Sequence, residues 1–357
     1  MKAKAKFWAP MASEKSSGRC SVLRVLTLVF VMGFCHPLGS AQEAVVLVGA
    51  GSSVPAPLYN KWAQEYNKRN PAIQMKYVPM GTSEGIKQIS RGSGDFGAGE
   101  AQLTAAERKE GDLIELPAVL IGIVPIYNLP GVHTELRFSG ELLAEIFLGE
   151  VKTWNASQIA KLNPDASLPS LPIKVIYRPA GKGSNYVFSE FLSKTSSKFR
   201  TQIGTSPSPH WPVGAPAERS SDMADKVKSE TGSIGYVEAQ YAVKANIPHG
   251  LVQNAAGKYL KASPETIKAA CRAVEAPAWD KFSASLSNAP GADAFPITSF
   301  TWLYLRTTPS DPRRATALAD LLNWMFTDGQ RLASEDGYAE LPPPLLAKVK
   351  TKTSSLH

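Results

Sequence analysis

The stretch "IKVIYRPAGKGSNYVFSEFL", from Ile173 to Leu192, contains the local pattern that decides the fold. Its first residues, up to Arg178, are typical of a β-strand, and the residues after Ser184 place apolar side chains at helical spacing. Two glycines and Lys182 lie between the strand and the helix. A strand that passes through a glycine-rich turn into a helix is the unit from which α/β folds are built.

The same unit occurs twice more near the start of the chain. "AVVLVGAGSSVP" begins at Ala44 as a buried strand and continues through glycines into a helix that Pro55 and Pro57 open. "IQMKYV", from Ile73 to Val78, alternates as a strand should, and a helix is predicted from Thr82 to Arg91. Further apolar strands alternate with amphipathic helices along the chain. We therefore predict an α/β fold with mainly parallel sheets.

Residues 1–41 have the pattern of a secretory signal peptide. Six basic residues and the single acid Glu14 precede an apolar run from Val25 to Phe34, and Gly39 and Ala41 supply the small residues of a cleavage site. The apolar run is shorter than the roughly 20 residues that span a bilayer. We expect cleavage before Gln42 and export of the mature chain. The alternative is a short membrane anchor.

The basic character of the chain comes largely from this leader. The whole sequence carries 39 basic and 31 acidic side chains, a net charge of +8. Cleavage removes six basic residues and one acidic residue, which leaves 33 and 30, a net charge of +3. This charge does not indicate binding to nucleic acid. Of the three cysteines only Cys271 remains, so we predict a buried thiol and no internal disulfide.

Three glycine-rich turns predict an anion-binding site. In an open α/β sheet such turns gather at the carboxyl ends of the strands, where the following helices present unpaired N–H groups. Ser53, Thr82 and Ser184 add hydroxyl donors, and Arg178 adds a planar fork of donors suited to an oxyanion. A small tetrahedral anion fits this set, whereas ordinary helix capping is the alternative for each turn alone. The turns are Gly49–Pro55, Gly81–Gly85 and Arg178–Asn185.

Neither of two familiar nucleotide loops fits these turns. "GAGSSV" lacks the third glycine of a dinucleotide fingerprint, and "AGKGS" lacks the first glycine of a nucleotide-binding loop and the adjacent Lys-Ser pair. Both are chance partial matches.

Asp95, in "GDFGAGE", is the carboxylate that we expect to define the guest. A carboxylate beside an anion repels it unless the guest donates a proton, as phosphate does near neutral pH and sulfate does not. Asp95 would then select phosphate. The alternative is that Asp95 caps a turn or pairs with Arg178.

With these residues identified, the chain resembles the periplasmic phosphate-binding proteins of high-affinity phosphate ABC importers. The resemblance extends from about Val46 to Leu341. The motifs that carry it are "GAGSSVPAPLYNKWAQEY", "GIKQI", "DFGAGEAQLT", "IFLGEVKTWN", "IAKLNP", the Arg178 turn, "VFSEFL", "GSIGYVE" and "FPITSFT".

The resemblance implies a bilobal periplasmic-binding-protein-like fold of type II. One α/β lobe comprises residues 42–119 plus 296–357, and the inserted second lobe comprises residues 120–295. Two crossover segments, near Pro117–Ile121 and Phe295–Thr298, join them.

The resemblance also implies a role for each site residue. Asp95 would accept the proton of a dehydrated phosphate, and Arg178 would balance its charge. The implied donors are Ser53, the Val54 backbone N–H, Thr82, the Gly183 backbone N–H and Ser184.

Departures from the family pattern lie inside this site. Val54 replaces an aromatic residue, Ala180 replaces the aspartate that holds the arginine, and Lys182 replaces a serine. We expect Arg178 to be less tethered. Our hypothesis is that Lys182 reaches the anion or Asp95, and the alternative is that it points to solvent.

The resemblance implies a non-catalytic receptor that acts as a monomer, without cofactor or metal. It captures inorganic phosphate and passes it to the permease and ATPase subunits of an ABC importer. The alternatives are another oxyanion, a phosphorylated small molecule, or a periplasmic phosphatase, for which the scattered histidines supply no base or metal cluster.

Overall fold

The structure is a computed structural model that describes residues 43–274, 282–308 and 311–354. The predicted signal peptide lies outside the described residues. Residues from Glu43 onward form one compact unit. Within the described part no helix combines the length and the apolarity needed to cross a bilayer.

The strands have the following bounds: β1 Val45–Gly51, β2 Ile73–Pro79, β3 Phe96–Gly99, β4 Leu113–Tyr127, β5 Arg137–Phe138, β6 Lys174–Tyr177, β7 Ala215–Pro216, β8 Ser233–Glu238, β9 Leu251–Gln253, β10 Tyr259–Leu260 and β11 Thr298–Arg306.

The helices have the following bounds: α1 Ala56–Arg69, α2 Thr82–Ser90, α3 Ala105–Glu110, α4 Gly140–Phe147, α5 Ser157–Leu162, α6 Gly183–Thr195, α7 Ser197–Gln202, α8 Ser220–Ser229, α9 Ala239–Lys244, α10 Pro264–Arg272, α11 Pro312–Met325, α12 Asp328–Glu335 and α13 Pro343–Ser354.

Eight of the strands form one mixed sheet in the order β2-β1-β3-β11-β4-β8-β6-β7. The outer pairs are parallel, in keeping with the strand–turn–helix units of the sequence. The central pairs, β3 with β11, β11 with β4 and β4 with β8, are antiparallel. The sheet is thus less parallel than predicted, because the two long central strands run between its halves.

Strand β4 is shared by both halves of the sheet. From Leu113 to Gly122 it pairs with β11, and from Ile123 to Tyr127 it pairs with β8. Every residue of β4 except Ile114 is buried, as the apolar run predicts. The two predicted crossover segments lie in or next to this pair of strands. Residues 117–121 form the middle of β4, and the segment 295–298 ends at Thr298, the first residue of β11. The α/β class is confirmed, whereas the lobe boundaries at 119/120 and 295/296 stay a prediction.

A β-bulge interrupts the pairing of β4 with β11. Val119 lies opposite Thr301 and Pro117 lies opposite Trp302, so Ala118 is the extra residue. Pro117 has no N–H for the ladder, which favours a bulge at this point. The freed carbonyl of Ala118 accepts from Gln330 Nε2 at 2.9 Å, and Gln330 Oε1 accepts from Leu341 N at 3.0 Å.

Cys271, in α10, is free and fully buried, as predicted. Burial raises the pKa of its thiol to about 12. The thiol therefore stays protonated and packs as a small apolar group.

Replacing Gln330 by leucine tests the role of the bulge. The Gln330→Leu variant leaves two buried backbone groups, Ala118 C=O and Leu341 N–H, without partners. Since each such group costs about 1–3 kcal/mol, we expect the free energy of unfolding to fall by about 2–4 kcal/mol in urea titrations. The exposed Gln202→Leu exchange is the control. A loss no larger than that of the control would contradict this role.

Candidate anion-binding site

The two halves of the sheet direct their carboxyl ends toward the middle of β4. The register places Glu238, the last residue of β8, opposite Ile123. On the other side Thr298 lies opposite Gly122, and β3 runs antiparallel to β11 so that its carboxyl end faces the same way. The turns after β1, β2, β3, β6 and β8 therefore meet in one region, where ligands bind in open α/β sheets.

Glu100 is one of the two buried carboxyl groups of this region; the other is Glu238. Glu100 follows β3 directly and is fully buried. Thr82 Oγ1, at the start of α2, donates to Glu100 Oε2 at 3.1 Å. The backbone of Gly183 packs against the same oxygen, since a Cβ added at Gly183 would lie 1.5 Å from it. Glu100 is thus enclosed between the second and third turns.

Arg178 follows β6 and is only 1% exposed. Its Nη2 donates to Ser53 Oγ at 3.2 Å and to Glu218 O at 2.7 Å, and its Nη1 donates to Ser220 Oγ at 3.0 Å. Its backbone is fixed as well, because its N–H donates to Tyr236 Oη at 3.1 Å and its carbonyl accepts from Asn185 Nδ2 at 3.0 Å. Arg178 is therefore held tightly although position 180 is an alanine.

Helix α6 begins at this cluster. Gly183 is its first residue, and the hydroxyl of the second, Ser184, is buried. Helices α2 and α8 also begin here, at Thr82 and Ser220. The partial positive charge at the start of each helix favours an anion at the point where they meet.

Among the described residues, four buried polar atoms of the cluster have no hydrogen-bond partner. They are one cationic donor, one hydroxyl and two carboxyl oxygens. A bound anion must accept a hydrogen bond from the cationic donor and can donate one to a carboxyl oxygen. An anion that has both unprotonated oxygens and a protonated oxygen satisfies all four atoms. Each atom left unsatisfied costs about 1–3 kcal/mol. The atoms are Arg178 Nε, Ser184 Oγ, Glu100 Oε1 and Glu238 Oε2.

Two predicted site residues lie at the cluster with partners of their own. The Val54 N–H donates to Ser52 Oγ at 3.1 Å. Lys182 Nζ lies 3.2 Å from Glu218 Oε2, in an ion pair at the rim of the groove that Ser53, Gly81 and Ser220 also line. The part of the hypothesis in which Lys182 reaches Asp95 is therefore wrong.

The structure does not bring Asp95 to the cluster, and this prediction is corrected. Asp95 precedes β3, whereas Glu100 follows it, so the length of the strand, roughly 16 Å, separates them. Asp95 accepts from Val48 N at 2.7 Å and pairs with Arg314 through both carboxylate oxygens, at 2.8 and 2.6 Å. Its acceptor capacity is used at the amino end of β3, the opposite end of the strand from the cluster.

Sequence reasoning missed Glu100, Ser220 and Glu238. "GDFGAGE" contains two acids, and the carboxyl end of a parallel strand is where the site residue belongs. That rule points to Glu100 once "FGAG" is recognised as the strand. Glu238 carries the same signal at the end of "GSIGYVE", whereas nothing in the local sequence singles out Ser220.

The pKa of Glu100 is raised to about 8, mainly by burial and to a smaller extent by the neighbouring Glu238 carboxyl. The nearby Ser52 and Thr82 hydroxyls and the charge of Arg178 act in the opposite direction. Burial also raises the pKa of Glu238, again against the charge of Arg178. Desolvation thus outweighs attraction to the single arginine at both carboxyls.

Comparison with known proteins assigns the chain to a family. Residues 38–329 match the PBP superfamily domain. The chain is 33% identical to "Phosphate-binding protein PstS" of Xylella fastidiosa over 320 residues, which cover 89% of this chain and 88% of the relative. It is also 33% identical to the protein of that name from Pasteurella multocida, with 87% and 90% covered. The chain therefore belongs to the PBP superfamily, in the family of these phosphate-binding proteins.

A solved structure agrees on the fold. The phosphate binding protein from Stenotrophomonas maltophilia superposes with a TM-score of 0.64 at 17% identity, covering 86% of this chain and 94% of that one. The predicted family and the predicted periplasmic-binding-protein-like fold are confirmed.

The raised pKa of Glu100 predicts a pH-dependent stability. The folded protein keeps the proton of Glu100 up to about pH 8, whereas the unfolded chain loses it near 4.5. The contribution of the protonated group to stability is therefore complete below pH 4.5 and is lost as the pH rises to about 8. Glu100→Gln cannot ionise. As the pH rises across this window, the free energy of unfolding of this variant should therefore increase relative to that of the wild type, by on the order of a few kcal/mol.

Urea titrations of ligand-free protein at pH 5, 6, 7 and 8 measure this difference. The exposed Glu141→Gln exchange is the control, and its difference from the wild type should stay constant. A Glu100→Gln difference that is equally flat would contradict the account of this carboxyl.

Proposed function

We propose that the protein is a receptor that captures inorganic phosphate between its strand-end turns and delivers it to the permease and ATPase subunits of an ABC importer. The observation that carries this proposal is the buried set of Arg178, Ser184 and Glu100 with unpartnered polar atoms. The names of the relatives, which are phosphate-binding proteins, support it.

Glu100 takes the role of proton partner in this proposal. Phosphate near neutral pH carries a proton and can share it with Glu100, whereas sulfate carries none. Arg178 Nε, Ser53, Ser184 and the start of α6 donate to the remaining oxygens, whereas the hydroxyl proton of Thr82 is already donated to Glu100 Oε2. Since the pKa of Glu100 is raised to about 8, sulfate binds only while Glu100 keeps its own proton.

Contacts between the two predicted lobes support capture by closure. Ser83 N donates to Gly181 O at 3.2 Å, and Arg178 Nη2 reaches Ser53 Oγ at 3.2 Å. In each of these hydrogen bonds, the serine belongs to one predicted lobe and its partner belongs to the other. A bound anion that ties Glu100 and Ser53 to Arg178 and Gly183 would stabilise the closed arrangement, which the permease recognises.

We place the mature protein in the periplasm, as a monomer, after cleavage before Gln42. The signal-peptide pattern of residues 1–41 supports this location. Mass spectrometry of protein exported from cells tests it, and a mature chain that still carries residues 1–41 would contradict it.

We propose binding without catalysis. Among the described residues, the hydrogen bonds of Ser53 and Ser220 join them to Arg178 and Glu238, and neither serine bonds a histidine, the usual base for a serine nucleophile. A chromogenic phosphate monoester incubated with the protein should release no phosphate above background. Hydrolysis that Ser53→Ala abolishes would establish the phosphatase alternative.

Titration calorimetry with phosphate, sulfate and arsenate tests the proposed ligand. We expect wild-type protein to prefer phosphate to sulfate, and the preference should grow as the pH rises from 6 to 9. Above about pH 8 the sulfate affinity should fall about tenfold per pH unit, because sulfate needs a protonated Glu100. In Glu100→Gln the preference should be smaller and independent of pH.

Asp95→Asn is the matched control in this experiment. It removes charge from the pair with Arg314 and should cost about 1 kcal/mol of stability while the phosphate preference is unchanged. Equal affinity for sulfate and phosphate in the wild type at pH 9, or a loss of preference in Asp95→Asn alone, would contradict the proposal.

Lys182 contributes long-range attraction in this proposal, from its position at the rim. Lys182→Ala should weaken phosphate binding by less than about tenfold, and the difference should disappear at high salt because exposed charges are screened. Lys194→Ala, at the far end of α6, is the control. An effect of Lys182→Ala that persists at 1 M salt would place the ammonium on the anion itself.

A further inference from the structure

Arg178, the buried cation of the site, lacks a carboxylate partner of its own. Within the described residues no ion pair involves it, and its side-chain hydrogen bonds go to two hydroxyls and one carbonyl. A buried guanidinium with only neutral partners is costly unless a negative charge or a polarised acceptor lies behind them.

Ser220 connects Arg178 to such a group. Arginine can only donate, so Ser220 Oγ accepts from Arg178 Nη1 at 3.0 Å. The single hydroxyl proton of Ser220 is therefore available, and it is donated to Glu238 Oε1 at 3.2 Å. The hydrogen bonds thus run from Arg178 through Ser220 to Glu238.

The position of Glu238 suits this role. It is fully buried, as is Ser220 at 1% exposure, so water does not compete for either group. Backbone pairing opposite Ile123 fixes Glu238 at the end of β8, and Ser220 is the first residue of α8. Both partners thus belong to regular elements, which hold the hydroxyl in place beside the guanidinium.

We infer that Glu238 is a positioning residue for the anion site: acting through Ser220, it orients the Arg178 guanidinium so that Nε faces the guest. This inference rests on the proposed function for its ligand but not for its geometry. Glu238 Oε1 needs only to accept a hydrogen bond, so an amide at this position preserves the relay and an apolar side chain breaks it.

Four variants separate this relay from a general structural effect. Glu238→Met removes the acceptor at similar volume, and Ser220→Ala removes the link from the other side. Each should weaken phosphate binding about tenfold, because the loss of one hydrogen bond to a charged group reduces affinity by at least that factor. The double variant should be no weaker than either single one, because both break the same chain. Glu238→Gln should bind within about threefold of the wild type.

Glu115→Met is the control for loss of a buried carboxyl. Glu115 pairs with Arg108 and accepts from Leu103 N at 2.6 Å, away from the site. We expect this variant to lose stability and to keep its phosphate affinity.

A measurement without ligand keeps the inference testable independently of phosphate. In ¹⁵N-labelled protein free of anion, a guanidinium held at several N–H groups rotates slowly and gives resolved Nη signals. The signals of Arg178, assigned by their loss in Arg178→Lys, should be present in the wild type and Glu238→Gln. They should be averaged in Glu238→Met and Ser220→Ala.

The outcomes distinguish the two proposals. Wild-type protein that binds no phosphate refutes the proposed function, and the guanidinium signals still decide the relay. Wild-type affinity and resolved signals in Glu238→Met overturn the inference. So does a double variant whose loss is the product of the single losses, or a loss in Glu238→Gln as large as in Glu238→Met.

Discussion

The pairing of strand β4 with two different partners is the constraint on which the rest of the structure depends. Since β11 occupies its first part and β8 its second, the carboxyl ends of the strands on both sides meet at the junction between Gly122 and Ile123. The bulge at Ala118 and the amide of Gln330 maintain this strand where proline interrupts its ladder. The site follows from the sheet, because glycine turns and helix starts come after those strand ends.

The same convergence buries groups that a folded protein ordinarily keeps in water. Glu100, Arg178 and Glu238 lie together almost without exposure, and burial raises the pKa of both carboxyls. Among the described residues, this set retains unpaired donors and acceptors. Such a cluster reduces stability in the absence of a guest, so a ligand that completes its hydrogen bonds recovers the cost as binding free energy. Selectivity between anions then depends on which atoms of the cluster accept a hydrogen bond and which donate one.

Local patterns predicted the elements well and the site in part. Strand "IKVIYR", the helix that begins at Thr82 and the three glycine turns are short-range features that sequence spacing specifies. The choice of Asp95 failed because either acid of "GDFGAGE" fits the motif, and only the exact ends of β3 decide which one faces the site. The relay through Ser220 and Glu238 joins residues 42 and 18 positions apart in the chain. No periodicity reports contacts of that kind.

The most direct test of this account is a high-resolution crystal structure of the protein with phosphate bound at about pH 8. We predict a Glu100 carboxyl oxygen about 2.5–2.7 Å from one phosphate oxygen, the separation of a charge-assisted O–H···O bond, with Arg178 Nε on another oxygen of the same ion. Asp95 should remain paired with Arg314 at the amino end of β3. An anion whose nearest carboxylate is any group other than Glu100, or one that no carboxylate contacts, would contradict the central claim.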